Sequence, residues 1–380
     1  MTRFRNIPIT FAALASAAVL LLSTATSASA APVPENPDED SASSSTAVVA
    51  PTTFGRSATT IHPDSASSET TTELTAQDSE VLAYWTPERL ASAVPYESPT
   101  VDAAISQSTE EPAVAAPTGP EGSTPPASPL EELSSATRSE GTVLAEDHAA
   151  EIGPLAMPVT NFPNTNGKLF FNGYGTNNAY CSASALNTDT KRVIITAGHC
   201  VYDSGAWKQN VVFVPNYDIR NADPDPVGIW TVHTLRTFNS WINNGDLTHD
   251  VGMATLNNGG DNNQRIVDAV GGHGMAWNGS YAFDVSIFGY PSNKTNPSGR
   301  YTMWACWGTT FQSGKRDSIK GCAFGPGASG GPWLYDFDNA SGLGYVKSVT
   351  STWNRLTGQN WAPYFTSDMK ALKDATNGDW

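Results

Sequence analysis

The feature that most limits what this chain can fold into is a succession of short apolar runs. They are "KLFF" at 168, "AYCSASAL" at 179, "RVIITA" at 192, "VVFV" at 211, "IWTVHTL" at 229, "VGMATL" at 251 and "YVKSVTST" at 345, with Gly, Asn, Asp or Pro punctuating the gaps. Runs of this length, rich in β-branched and aromatic residues and bounded by turn formers, read as antiparallel strands. One helical pattern follows them, "SDMKALKDA" from Ser367 to Ala375, with Ser367 or Asp368 as its cap. Residues 158–380 therefore predict an all-β domain closed by a C-terminal helix, of a size that suits two small barrels or one larger sandwich.

What precedes this domain differs in kind. Arg3 and Arg5 lead into an apolar run, Phe11 to Leu22, that ends near Ala28-Ser29-Ala30, so residues 1–30 read as a secretory signal peptide. The run is too short to cross a bilayer, which argues against a membrane anchor and for a secreted, extracellular product. Residues 31–157 are dominated by Ser, Thr, Ala and Pro, and they hold 21 of the 37 acidic residues against Arg56, Arg89 and Arg138. That composition predicts a disordered acidic leader, a propeptide if it is removed and a surface stalk if it is kept. The domain itself balances 16 basic residues with 16 aspartates. With no basic stripe, it is not expected to bind nucleic acid.

All four cysteines, Cys181, Cys200, Cys306 and Cys322, lie in the domain. Four cysteines permit three pairings, and a zinc site is the rival use, but no C-x-x-C spacing occurs and a secreted chain oxidises its thiols. Local pairing, Cys181 with Cys200 and Cys306 with Cys322, is the simplest arrangement. No metal or cofactor is expected. The sequons at Asn278, Asn293 and Asn339 matter only in a glycosylating host.

Three stretches can carry chemistry. In "IITAGHC" a strand runs into small residues and places His199 beside Cys200, a rigid setting for a base, whereas His233 and His273 read as structural. In "HDVGMATL" Asp250 begins a strand and could fix the tautomer of an imidazole, although a strand-capping aspartate is the plainer reading. In "GPGASGGPW" Ser329 stands among glycines, as in a flexible turn or as a nucleophile whose neighbours must let backbone amides approach a substrate.

Taken in order, "TAGHC", "DVGMA" and "GASGGP" resemble the three motifs of the chymotrypsin-like serine peptidases, and the details are most similar to the secreted microbial branch that includes the glutamyl endopeptidases. The resemblance covers the chain from about Asn166 onward. It implies two antiparallel six-stranded β-barrels with the active site between them. It also implies His199 as base, Asp250 as its orienting carboxylate, Ser329 as nucleophile, and the amides of Gly327 and Ser329 as an oxyanion hole. Cys181 with Cys200 matches the family's bridge beside the histidine.

Two positions depart from the trypsin pattern. Ala328 replaces the aspartate before the serine, so a freed amino terminus has no carboxylate to pair with there. Ala323 replaces the pocket-floor aspartate, which argues against Lys or Arg specificity. Thr350, Ser351, Thr352 and Trp353 in "VTSTWN" would line the substrate pocket. No histidine follows Ser329, so the pocket shows no cation for an acidic substrate side chain, and uncharged residues are expected. Protein or peptide substrates are the expected partners, together with the leader as inhibitor or folding aid. Its apolar island, Val81 to Tyr96, would dock across the cleft. The rival reading is a catalytically inactive extracellular binding protein on the same fold.

Overall fold

The computed structural model describes residues 75–98, 101, 115, 119–130, 164–173, 178–294 and 302–380, together with the backbone of Thr46–Val49 and Leu155–Pro158. The expected signal peptide lies outside the described residues. Upstream of the domain the elements are β1 (Thr46–Val49), α1 (Ala76–Tyr84), α2 (Pro87–Ser92), β2 (Val94–Pro95), β3 (Gly122–Thr124) and β4 (Leu155–Pro158). The first half of the domain holds β5 (Asn166–Asn172), β6 (Asn178–Leu186), β7 (Val193–Thr196), β8 (Tyr202–Asp203), β9 (Ala206–Trp207), β10 (Gln209–Pro215), β11 (Trp230–Phe238), α3 (Asn239–Asn244) and β12 (Gly252–Leu256). After α4 (Ile266–Val270) come β13 (Gly274–Trp277), β14 (Asp284–Gly289), β15 (Trp304–Thr309), β16 (Phe311–Ser313) and β17 (Arg316–Ile319). The chain closes with β18 (Pro332–Asp338), β19 (Leu343–Val349), β20 (Thr352–Trp353), β21 (Asn360–Pro363) and α5 (Ser367–Asn377).

Strands β10, β5, β6, β7 and β12 pair in that order, and β11 joins β10 to β12, which closes a six-stranded antiparallel barrel. The second half divides its hydrogen bonds between a sheet running β13-β19-β18-β14-β15 and a smaller one running β16-β17-β21-β20. The contact between β13 and β19 is parallel. Fold class and closing helix are as the sequence predicts. The helix cap is one residue earlier, because Thr366 accepts from the Asp368 amide.

Why the strand runs are almost continuously apolar is visible in the first barrel. Leu169, Phe171, Val211 and Phe213 point inward with Trp230 and Leu235, while their neighbours Phe170, Val212 and Val214 point outward and are equally buried. A strand covered on both faces cannot alternate with polar residues.

Part of that outer cover is the leader. Val81, Trp85 and Leu90 join the buried cluster that holds Phe170 and Val212, with the Trp85 ring against that of Phe170, and the Trp85 indole N–H donates to the Asn210 carbonyl at 2.6 Å. Thr75 and Asp78 form a capping box at the start of α1, and the buried Asp78 carboxylate also accepts from Thr231 Oγ1 at 2.8 Å and Asn257 Nδ2 at 2.7 Å. Composition predicts a disordered leader over residues 31–157; within it Thr75 to Ser98 carries α1, α2 and β2. The apolar island Val81 to Tyr96 supplies the buried side chains, and burying one such as Leu90 contributes roughly 1.5 to 3 kcal/mol. Both disulfides join the near neighbours, Cys181–Cys200 and Cys306–Cys322. Loops of that size stabilise a fold by roughly 3 kcal/mol each in the chain-entropy model.

Candidate active site

The β7–β12 ladder brings the first two candidate residues together. Thr196 pairs with Gly252, so the 3₁₀ turn Gly198–Cys200 that follows β7 lies against Asp250, which precedes β12. Both Asp250 oxygens are engaged. Oδ1 accepts from the His199 backbone N–H at 2.8 Å, and Oδ2 lies 2.8 Å from His199 Nδ1. Asp250 is fully buried and His199 is 1% exposed. A buried carboxylate on Nδ1 holds the proton there and leaves Nε2 as the free acceptor.

Ser329 comes from the second half and lines the same cleft as His199. The turn that carries it is pressed onto the first barrel. A β-carbon at Gly330, where φ is +81°, would lie 2.0 Å from Thr196 Oγ1, so the glycine after the serine is a steric requirement.

The backbone around Ser329 can be accounted for bond by bond. The carbonyls of Pro326, Gly327, Ala328 and Ser329 accept, in turn, from the Ser292 N–H, Ser182 Oγ, the Gly331 N–H and the Ser182 N–H. The amides of Ala328, Gly330 and Gly331 donate to Gly325, Thr350 and Ala328. Among the described residues, two amides of the run remain without a protein partner, those of Gly327 and Ser329. Ala328 is fully buried in an apolar cluster with Phe324, Ile287 and Trp333.

Thr350, Ser351, Thr352 and Trp353 line the cleft beside Phe324 and Gly325. Ala323 does not. Its φ is +49°, its carbonyl accepts from Asn293 Nδ2 at 2.8 Å, and its amide donates to Gly358. Asn293 Oδ1 also takes the Gly325 amide at 2.9 Å, so this side chain braces the approach to the serine loop.

Sequence reasoning missed two cations, Arg316 and Arg355. Arg316, far from the motifs along the chain, is buried behind Thr352 and donates to its Oγ1 at 3.3 Å, while Arg355 lines the cleft at its exposed rim. Cations therefore stand near the pocket although no histidine does. The expected docking of Val81–Tyr96 across the cleft is met only at its end. The Val81–Tyr96 island docks on the first barrel rather than across the cleft, with β2 pairing in parallel to β6, and Tyr96, Ser98 and Val101 then line the cleft with His199 and Ser329. The Tyr96 ring stacks 6.5 Å from that of His199, and its hydroxyl donates to Asp203 Oδ2 at 2.8 Å.

His273 is buried and structural, bonding Asn166 Oδ1 through Nε2 and accepting from the Gly344 amide, with burial lowering its pKa to about 3. His233 packs against Trp380. Cys181, His199 and Cys200 crowd together like a metal site, but the two sulfurs are bonded to each other and neither is a thiolate.

A closed antiparallel barrel, a second β half and a C-terminal helix around such a cleft make up the two-barrel fold of the chymotrypsin-like serine proteases. A solved structure bears this out. The protease Anisep from Arthrobacter nicotinovorans is 27% identical with a TM-score of 0.52, covering 59% of this chain and all of its own. A thermostable serine protease from an extremophilic microorganism is 26% identical at a TM-score of 0.49, over 57% of this chain and 99% of its own. A Glu endopeptidase is 18% identical at 0.47, over 60% and 98%. No family model matches the chain, and a comparison with curated proteins finds no match. Among the described residues, no helix is long and apolar enough to cross a membrane.

Proposed function

We propose that the chain is a secreted serine endopeptidase. Ser329 Oγ attacks the substrate carbonyl while His199 Nε2 takes its proton, and the same imidazole returns the proton to the leaving amine to give an acyl-enzyme that water then hydrolyses. Asp250 holds the imidazole in the required tautomer and stabilises the imidazolium. The amides of Gly327 and Ser329 receive the oxyanion, and such a donor typically supplies about 2.7 to 4 kcal/mol of transition-state stabilisation. The observation that carries the reading is the backbone account: the two uncommitted amides flank Ala328, and Ser329, which bears one of them, lines the cleft together with His199.

In this reading residues 1–30 direct secretion, and residues 31–157 are a propeptide that covers the cleft through Tyr96, Ser98 and Val101. Latency then comes from occupation of the site, since Ala328 offers no carboxylate to an activating amino terminus.

The test is phosphonylation of the matured protein. A fluorophosphonate should label Ser329 and abolish peptide hydrolysis, and Ser329→Ala should lose both labelling and several orders of magnitude in kcat. Unchanged hydrolysis by purified Ser329→Ala refutes the assignment. A folded, matured chain that neither hydrolyses peptides nor reacts supports the inactive binding protein instead.

A further inference from the structure

Ser182 stands on β6 next to Cys181 and outside every motif described above. Its hydroxyl accepts from the Tyr290 N–H at 2.9 Å and donates to the Gly327 carbonyl at 2.8 Å. Because a backbone amide can only donate, the single hydroxyl proton is committed to Gly327. Its own N–H donates to the Ser329 carbonyl at 2.8 Å. One residue, 1% exposed, therefore grips the loop on both sides of Ala328.

The consequence lies in peptide geometry. With its carbonyl on Ser182 Oγ and its amide side on the Gly325 carbonyl, the Gly327–Ala328 peptide is fixed at both ends. Each peptide is planar, so fixing this one sets the rotation about the bonds that aim the flanking amides of Gly327 and Ser329. Gly327 needs such a restraint because its φ of +88° is one that glycine adopts and leaves readily, and a β-carbon there would lie 2.6 Å from both the Tyr180 ring and the Tyr290 carbonyl. The trypsin-type restraint on this loop is absent, because Ala328 is a methyl group in an apolar cluster.

We infer that Ser182 is a positioning residue for the oxyanion hole, its hydroxyl doing through a neutral hydrogen bond what an ion pair at position 328 does in trypsin-type enzymes. The inference rests on the serine peptidase reading. It also means that the loop is assembled while the leader is still attached, since all of these bonds coexist with Tyr96 in the cleft.

The experiment compares matured wild type, Ser182→Ala and Ser182→Thr on one peptide substrate, with active-site titration to count competent molecules. Ser182→Ala should lower kcat about 10- to 100-fold, below the loss for removing an oxyanion donor outright. KM should stay within about twofold, because the effect falls on the transition state. Affinity for a peptide aldehyde, whose adduct places an oxygen in the hole, should fall by the same factor as kcat. Ser182→Thr keeps the hydroxyl and should retain most of the rate. An active wild type with Ser182→Ala kcat unchanged overturns the inference, and so does a rate loss that leaves aldehyde affinity untouched. If Ser182→Ala does not fold, Ser182→Thr decides: a titratable threonine variant as slow as roughly one-hundredth of wild type refutes the role of the hydroxyl. A wild type with no peptidase activity fails the underlying reading, and Ser182 with it.

Discussion

Ser351 Oγ donates to Asp250 Oδ2 at 2.6 Å, the same oxygen that lies 2.8 Å from His199 Nδ1. The motif placed Ser351 in the substrate pocket, and the residue does line the cleft, but its side chain is committed to the buried carboxylate. Hydrogen bonds to charged groups are worth about 1.5 to 3 kcal/mol, so Ser351→Ala is expected to lower kcat about 10- to 100-fold. Cleavage preference should not change. Steady-state kinetics combined with peptide-library profiling separates the two effects, and an altered profile at normal kcat would return the Ser351 hydroxyl to the pocket.

Trp85 concentrates the leader's hold on the domain, being 3% exposed, packed on Phe170 and hydrogen bonded to Asn210. Residues 31–157 added in trans are expected to inhibit the matured domain. Trp85→Ala should weaken that inhibition at least about tenfold, as truncation of buried tryptophan anchors commonly does. Inhibition constants from progress curves measure it. No inhibition by an intact leader at tens of micromolar would leave the leader a folding aid.

Arg316 behind Thr352 and Arg355 at the rim bias the pocket against basic side chains. Placing like charges together costs several kcal/mol, so Lys and Arg at P1 should be cleaved at least roughly 100-fold more slowly than the preferred residue. A library in which basic P1 residues dominate would contradict this. Dominance of glutamate would make Arg316→Gln the next variant to assay.

His249 ties the loop before Asp250 to the first turn of α5. Nδ1 lies 2.9 Å from Asp246 Oδ2, and Nε2 lies 3.8 Å from Asp368 Oδ2. Burial pushes its pKa down, but hydrogen bonds and charge from the two aspartates outweigh it and raise the value to about 9. A folded-state pKa above the unfolded one stabilises the protein at low pH. That contribution is complete below about pH 6.5 and is lost as pH rises through about 9. Thermal unfolding of the wild type should therefore weaken across this window. The corresponding fall should be smaller in His249→Gln, and matching slopes would show that His249 does not link folding to pH.

The residues that could be read from the sequence are those whose role is local. His199, Asp250 and Ser329, the proposed triad, each sit in a short motif, and their chain order supplies the rest of that proposal. Ser182 left no trace of this kind, since "AYCSASAL" is an ordinary small-residue strand and the role proposed for its serine depends on a loop that arrives from the other half of the fold. Arg316 was hidden for the same reason. The leader is an intermediate case: its average composition pointed to disorder, yet its apolar island stands out in the sequence, and Val81, Trp85 and Leu90 of that island join the buried cluster that holds Phe170 and Val212. The division of the second half into two sheets follows from short strands such as β16 and β20, whose runs are too brief to show a period.

The upstream chain also contributes strands to sheets in both halves, β1 on β11, β2 on β6, β3 on β13 and β4 on β15. Stripping them away would bare rows of backbone N–H and C=O groups, and an uncovered margin of that sort is a template for the strand of another molecule. Release of activity would thus come with a colloidal liability. The matured protein should tolerate concentration less well than its precursor, a difference that light scattering would register as intermolecular association once the leader has been cut.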